Sequence, residues 1–148
     1  MRVEYLNEND ATRWEGYVGS RASAITDVFA WRLVVRDAYD IASHFTMAVA
    51  GDRVVGALAL FEMRHPVFGH YLASAVFGND GGLFHDTDAA RDALVAEARA
   101  LASRLDVAYL LIRTRGVALK EFHVDGHYRA SVLDLAGDAE SALNQLPA

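Results

Sequence analysis

The chain has 148 residues, 53% of them hydrophobic and 23% charged, with no cysteine and a formal net charge of −6. A chain of this length buries roughly 70% of its unfolded surface, which suits one domain, 1–148, better than two. The absence of cysteine excludes disulfides, thiolate nucleophiles and sulfur-ligated zinc, and with 20 acids against 14 bases the balance argues against general nucleic-acid binding, although a local basic patch stays open.

The chain opens with Val3 to Leu6, which alternates as a short strand does, followed by a helix from Asp10 or Thr12 to about Gly19 with Trp14, Tyr17 and Val18 on one side. No apolar core of signal-peptide type accompanies Arg2, Glu4, Glu8 and Asp10, so a cytoplasmic location is expected. From Val28 to Tyr39 the positions Val28, Trp31, Val35 and Tyr39 keep a helical rhythm, and Trp14, Tyr17, Trp31 and Tyr39 are expected to anchor these helices in the core.

The period then changes. His44 to Ala50 and Arg53 to Met63 are β-rich runs joined by Gly51-Asp52, a pair suited to a tight hairpin. Arg64-His65-Pro66 interrupts, because proline cannot donate to a central ladder, and Val67 to Ala75 resumes as a third strand of an antiparallel meander. The apolar run Val54 to Phe61 is about eight residues long, short of the ~18 that a membrane-spanning helix needs.

Phe77 to Phe84 is expected to be a loop, with Asn79, Asp80, Gly81 and Gly82 in a row. Such a loop before a long helix either serves as a structural turn or presents backbone N–H groups to a phosphate or carboxylate. The helix that follows carries Ala90, Leu94, Ala98, Leu101 and Leu105 as its buried stripe, with Asp86 and Asp88 suited to its N-terminal dipole. Val107 to Ile112 reads as a strand buried on both faces and ending at Arg113. A short helical stretch from Val117 to Phe122, a turn at Asp125-Gly126, a last strand from Tyr128 to Leu135 and a terminal helix from Asp138 to Leu146 complete an α/β chain with a mostly antiparallel sheet.

Six histidines, His44, His65, His70, His85, His123 and His127, lack the paired spacing of a zinc site, so no metal is expected. No G-x-S-x-G elbow supports a serine hydrolase. His85 stands beside Asp86 and the glycine loop, where an adjacent carboxylate can orient or charge an imidazole.

Taken in order, the elements resemble a GNAT-type N-acetyltransferase fold: a strand, two helices, a three-strand meander, a long helix, a buried strand and a final strand, with helices expected on both faces of the sheet. The middle of the chain resembles the first, N-terminal domain of FemAB-like proteins, whose members carry two GNAT-like domains in tandem. The residues that carry this likeness are Trp31; Val55-Gly56 with Leu58 and Leu60; Phe68-Gly69 with Leu72 and Ser74; Phe77 with Gly81-Gly82; Asp86; and Arg113. It spans about Tyr5 to Leu146, and it departs from the family at Ala59 and Val76, where relatives often carry proline, and at Ile112, where they often carry an acid.

The resemblance implies transfer of an acyl or aminoacyl group to an amine, on a cell-envelope precursor, from a small-molecule donor such as acyl-CoA or an aminoacyl carrier, with no cofactor fixed. Asn79, Gly81, Gly82, Arg113 and Arg115 are the candidate substrate contacts. Arg113 to Ala118 also fits the R-x-x-G-x-A loop with which GNAT enzymes cradle pyrophosphate on backbone amides, but it lies after the meander and long helix, with 30 residues following. Ala118, Phe122 and Gly126 match the GNAT tail pattern, in which the second aromatic of a pair is often a tyrosine that protonates the leaving thiolate; His123 stands there. His123 and His85 are therefore the candidate proton carriers. A second GNAT-like domain or a homodimer is the partner expected to complete the cleft, and a noncatalytic binding or assembly module derived from one half of a tandem protein is the alternative.

Overall fold

The computed structural model describes residues 1–21, 24–79, 81–114, 119–120, 122–125, 138 and 144. The chain divides into two compact units, Met1–Ala118 and Leu119–Ala148. In the second unit the Phe122 amide donates to the Leu119 carbonyl at 3.3 Å. The strand expected at Tyr128 to Leu135, the Asp125-Gly126 turn, most of the Val117 to Phe122 helix and most of the terminal helix lie outside the described residues.

In the first unit β1 (Arg2–Tyr5) is followed by a turn at Glu8–Asp10, capped by the Asn7 side chain, and by α1 (Ala11–Val18). A second turn, Ile25–Asp27, leads to α2 (Trp31–Tyr39), which ends on Asp40 in the left-handed region at φ 55°. The meander is β2 (Ala42–Ala50), β3 (Arg53–His65) and β4 (Gly69–Ala73). Gly51 at φ 62° makes the β2–β3 turn where the sequence places it, because a tight hairpin needs positive φ. The fourth strand is shorter than the Val67 to Ala75 run expected, since Pro66 and its two successors form the turn. The second helix likewise begins at Trp31 rather than Val28.

Leu83–His85 is a short strand, β5, which pairs antiparallel with Gly56 to Leu58 of β3; three residues are too few to show a period, and the sequence reads them as loop. After Thr87, whose Oγ1 accepts the Ala90 amide at 3.2 Å, α3 runs Asp88–Arg104. The last described strand, β6 (Tyr109–Leu111), pairs parallel with β4, the one parallel pair among the described strands. The sheet order is β1-β2-β3-β4-β6. Within the described residues β6 is an end strand, with Tyr109 exposed and its two neighbours half-buried, so the expectation of burial on both faces is corrected.

Alternation along β2 and β3 directs two cores. Phe45, Met47, Ala57, Ala59 and Phe61 face α1 and α2, where Trp14, Tyr17, Val18 and Val35 are buried. Leu58, Leu60 and Leu72 face α3 through Ala90, Leu94, Ala98 and Leu101, the stripe read from the sequence. Trp14 packs against Phe45 with the rings tilted and their centroids 4.5 Å apart, and its indole N–H donates at 2.8 Å to the Asp27 carbonyl, which fixes the Ile25–Asp27 turn against the core. Trp31 is only half-buried, and Tyr39, expected in the core, is exposed and packs at 4.7 Å on Phe77.

Candidate functional site

The site is built where β3 changes partners. Its C-terminal half pairs with β4 at Phe61 to His65 and its N-terminal half with β5 on the same edge, so the chain between, residues 74–82, must cross the gap. The Ala59 amide in that gap donates to the Gly82 carbonyl at 2.8 Å. Ser74 joins the crossing to the end of β6: its amide donates to the Leu111 carbonyl at 3.0 Å, its Oγ accepts the Arg113 amide at 2.9 Å, and the same Oγ donates to the Gly81 carbonyl at 3.0 Å.

Arg113 leaves β6 into this crossing. Its Nη1 donates to the carbonyls of Ala75 at 3.1 Å and Gly78 at 2.6 Å, while Nε and Nη2 take no partner among the described residues. The guanidinium forms one wall of an open cleft whose other walls are Met63, Tyr71, Ala73, Ala75, Val76 and Phe77. The Trp31 indole donates to the Val76 carbonyl at 3.3 Å, and Tyr71 stacks on Tyr109 across the parallel β4–β6 pair with centroids 4.7 Å apart. The cleft is thus apolar and aromatic with one oriented cation, a composition suited to a ligand with an apolar body and an anionic group.

The glycine loop is held from the opposite side by the Ile25–Asp27 turn. Asp27, fully buried, accepts the Gly82 amide on Oδ1 at 3.1 Å and the Ala24 amide on Oδ2 at 3.2 Å, while the Gly81 amide donates to the Arg113 carbonyl at 3.3 Å. Gly81 and Gly82 sit at φ 127° and 86°, conformations that L side chains rarely adopt. Their two amides are therefore occupied within the protein, and Asn79 is exposed beside them.

His85 is half-buried on β5. Its neighbour Asp86 accepts from Tyr17 at 3.0 Å, from Arg21 at 3.3 Å and, on its second oxygen, from Arg53 at 3.3 Å. Burial pushes the Asp86 carboxyl up, but these donors outweigh it and hold it below the ordinary range; Tyr17 is raised by burial and by the same carboxylate. His123 is an exposed residue of the second unit, and Arg115 lies outside the described residues.

One polar cluster carries no spacing signal in the sequence. On the α3 side of the sheet Glu62 meets His70 Nε2 at 2.9 Å, His44 Nε2 at 3.4 Å and Arg64 at 2.6 Å, three partners from three strands. Burial pushes this carboxyl up, yet the hydrogen bonds from His70, Arg64 and His44 together hold it below the usual carboxylate range. No group of three metal-ligating side chains occurs among the described residues, and no described helix is long and apolar enough to cross a membrane.

The fold has close counterparts among solved structures. The chain aligns with a ribosomal-protein-alanine N-acetyltransferase from Brucella melitensis biovar Abortus 2308 at a TM-score of 0.62 and 16% identity, over 91% of this chain and 100% of that one. This is a GNAT-like fold. A probable acetyltransferase aligns at 0.57 and 14% identity, over 93% of this chain and 100% of that one. An acetyltransferase from Trypanosoma brucei aligns at 0.57 and 15%, over 90% and 99%. No protein-family model matches the chain, and no curated protein sequence does.

Proposed function

We propose that this chain transfers an acyl or aminoacyl group from a small-molecule donor to an amine, with the cleft beside the β4–β6 pair as the place of reaction. The observation that carries this reading is the GNAT-like fold, aligned over the full length of a neighbour described as an alanine N-acetyltransferase. Such transfer needs no covalent intermediate. The protein aligns amine and donor and stabilises the developing oxyanion, which suits a rigid cleft on a sheet better than a nucleophile.

In this reading Arg113 takes the anionic part of the donor or acceptor on Nε and Nη2, with Arg115 and Asn79 as further contacts, and Tyr71 and Val76 hold the apolar part. His85, on β5 opposite Gly56, and His123, in the second unit, are the candidate proton carriers of this reading. The donor is an acyl-CoA or an aminoacyl carrier, the acceptor an amine on a cell-envelope precursor as in FemAB-like proteins, and a second GNAT-like domain or second copy completes the cleft.

A binding or assembly role without chemistry is favoured by one observation, the internal occupation of the Gly81 and Gly82 amides. Incubation with acetyl-CoA or an aminoacyl ester and a panel of primary amines, read by mass spectrometry, separates the two. Acylated amine is expected, and its yield should fall about tenfold in Arg113→Lys, which keeps the charge and loses the fork. No product from any donor, with a melting temperature indifferent to all of them, would leave the binding module.

A further inference from the structure

We infer that Asp27 is the built-in acceptor that fills the glycine loop, so that Gly81 and Gly82 exclude phosphate and carboxylate groups instead of receiving them. The inference rests on reading the cleft as a transfer site, and it narrows the donor to one whose anionic group, if it has one, is held away from these two amides. A glycine-rich crossing between two strands, here β4 and β5, has the elements of an anion cradle: backbone N–H groups, positive φ and no side chains. Here the cradle is already filled from within the chain.

Three observations converge on that filling. The Asp27 Oδ1 accepts the Gly82 amide at 3.1 Å, the bond an anionic oxygen of a ligand would make. A Cβ built on Gly81 would overlap that oxygen, and one built on Gly82 would overlap the Ser74 carbonyl, so both glycines are packed directly against atoms of the chain itself. The neighbouring Thr26 seals the other end of the loop, its Cγ2 and Oγ1 both 3.0 Å from where a Gly78 Cβ would stand. Asp27 is itself fixed by its Oδ2 bond from the Ala24 amide and by its carbonyl, which receives the Trp14 indole at 2.8 Å. A carboxylate buried to this degree and tied at two ends does not swing away when a ligand arrives.

The test is a titration of the full chain, labelled with nitrogen-15, with inorganic phosphate and separately with acetyl-CoA, following the amide resonances of Gly81 and Gly82. In the wild-type protein phosphate should leave both in place. In Asp27→Ser, which is shorter and vacates the loop, phosphate should move both along a saturable curve, with affinity at least about tenfold above the wild type. Asp27→Asn keeps an acceptor in the same space and should stay as unresponsive as the wild type. A saturable shift in the wild-type protein would overturn the inference, and this arm stands even if a variant fails to fold. A folded Asp27→Ser that shows no shift, or an Asp27→Asn that responds as the serine variant does, would overturn it as well. Because the readout is an amide shift and not turnover, a failure of acyl transfer would remove the proposed function and leave this inference standing.

Discussion

Ser74 Oγ accepts the Arg113 amide at 2.9 Å across 39 residues of sequence, and through this bond the end of β6 and the glycine loop become one structure. The same oxygen donates to Gly81, and the residue is 1% exposed. Ser74→Ala leaves the half-buried Arg113 N–H and Gly81 carbonyl without their partner. The variant should lose about 1–3 kcal/mol in urea unfolding. An unchanged midpoint would show that the crossing is held by the Ala59 and Arg113 bonds alone.

The loop glycines should differ from a turn glycine with similar backbone. Gly82→Ala meets both a positive φ of 86° and the Ser74 carbonyl, whereas Gly69→Ala meets a φ of 80° and open space. The first should cost about 3 kcal/mol and the second about 1 kcal/mol, compared by thermal unfolding. Equal losses would mean that the close approach to Ser74 contributes nothing.

Glu62 should make stability depend on acid. Its carboxyl lies below its unfolded value because of His70, Arg64 and His44, so its contribution is fully present above the unfolded pKa and is lost as pH falls through the folded one. Arg64 is fixed in charge, while His44 and His70 face the same carboxylate from β2 and β4. Denaturant midpoints taken from neutral pH down through the carboxylate range should therefore converge between wild type and Glu62→Gln at the acid end. At neutral pH the variant should be about 1–3 kcal/mol less stable. Parallel curves would remove Glu62 from the pH dependence.

Leu94 ties α3 to the sheet. It is fully buried between Ala90 and Ala98 on the stripe that covers Leu58 and Leu60. Leu94→Ala should cost about 2–5 kcal/mol in the same unfolding assay, while Ala100→Ser, at an exposed position of the same helix, should fall within about 0.5 kcal/mol. Similar losses for the two would contradict the placement of the core.

The two candidate proton carriers can be told apart by turnover. If acyl transfer is found, His85→Ala and His123→Ala made separately should each show whether its imidazole serves the reaction, with a loss of about 100-fold in kcat expected for the one that does. Two variants with full turnover would remove both from the mechanism and move the proton to solvent.

Much of the fold is legible in the chain. The Gly51-Asp52 hairpin, the α3 stripe and the switch from helical to alternating period each arise from neighbours in sequence, where local geometry and burial agree. Tyr39 misleads because a helical rhythm marks a face without saying that the whole face is covered; only Val35 of its helix is fully buried, and Tyr39 meets Phe77 at the surface. β5 is hidden because three residues carry no period, and its pairing depends on β3 being long enough to serve two partners.

The site divides in the same way. Glycines 81 and 82 and Arg113 stand out in the sequence, because residue type alone marks a loop that needs positive φ and a cation at a strand end. The meander and α3 follow from it as well, since periodicity is a property of neighbours, and their order resembles that of a GNAT-type fold. That Asp27, 55 residues before Gly82, fills the loop, and that Glu62 gathers His44 and His70 from two other strands, emerges from the folded chain alone. Those bonds join residues whose separation along the chain carries no period, so nothing short of the folded sheet brings them within 3.5 Å.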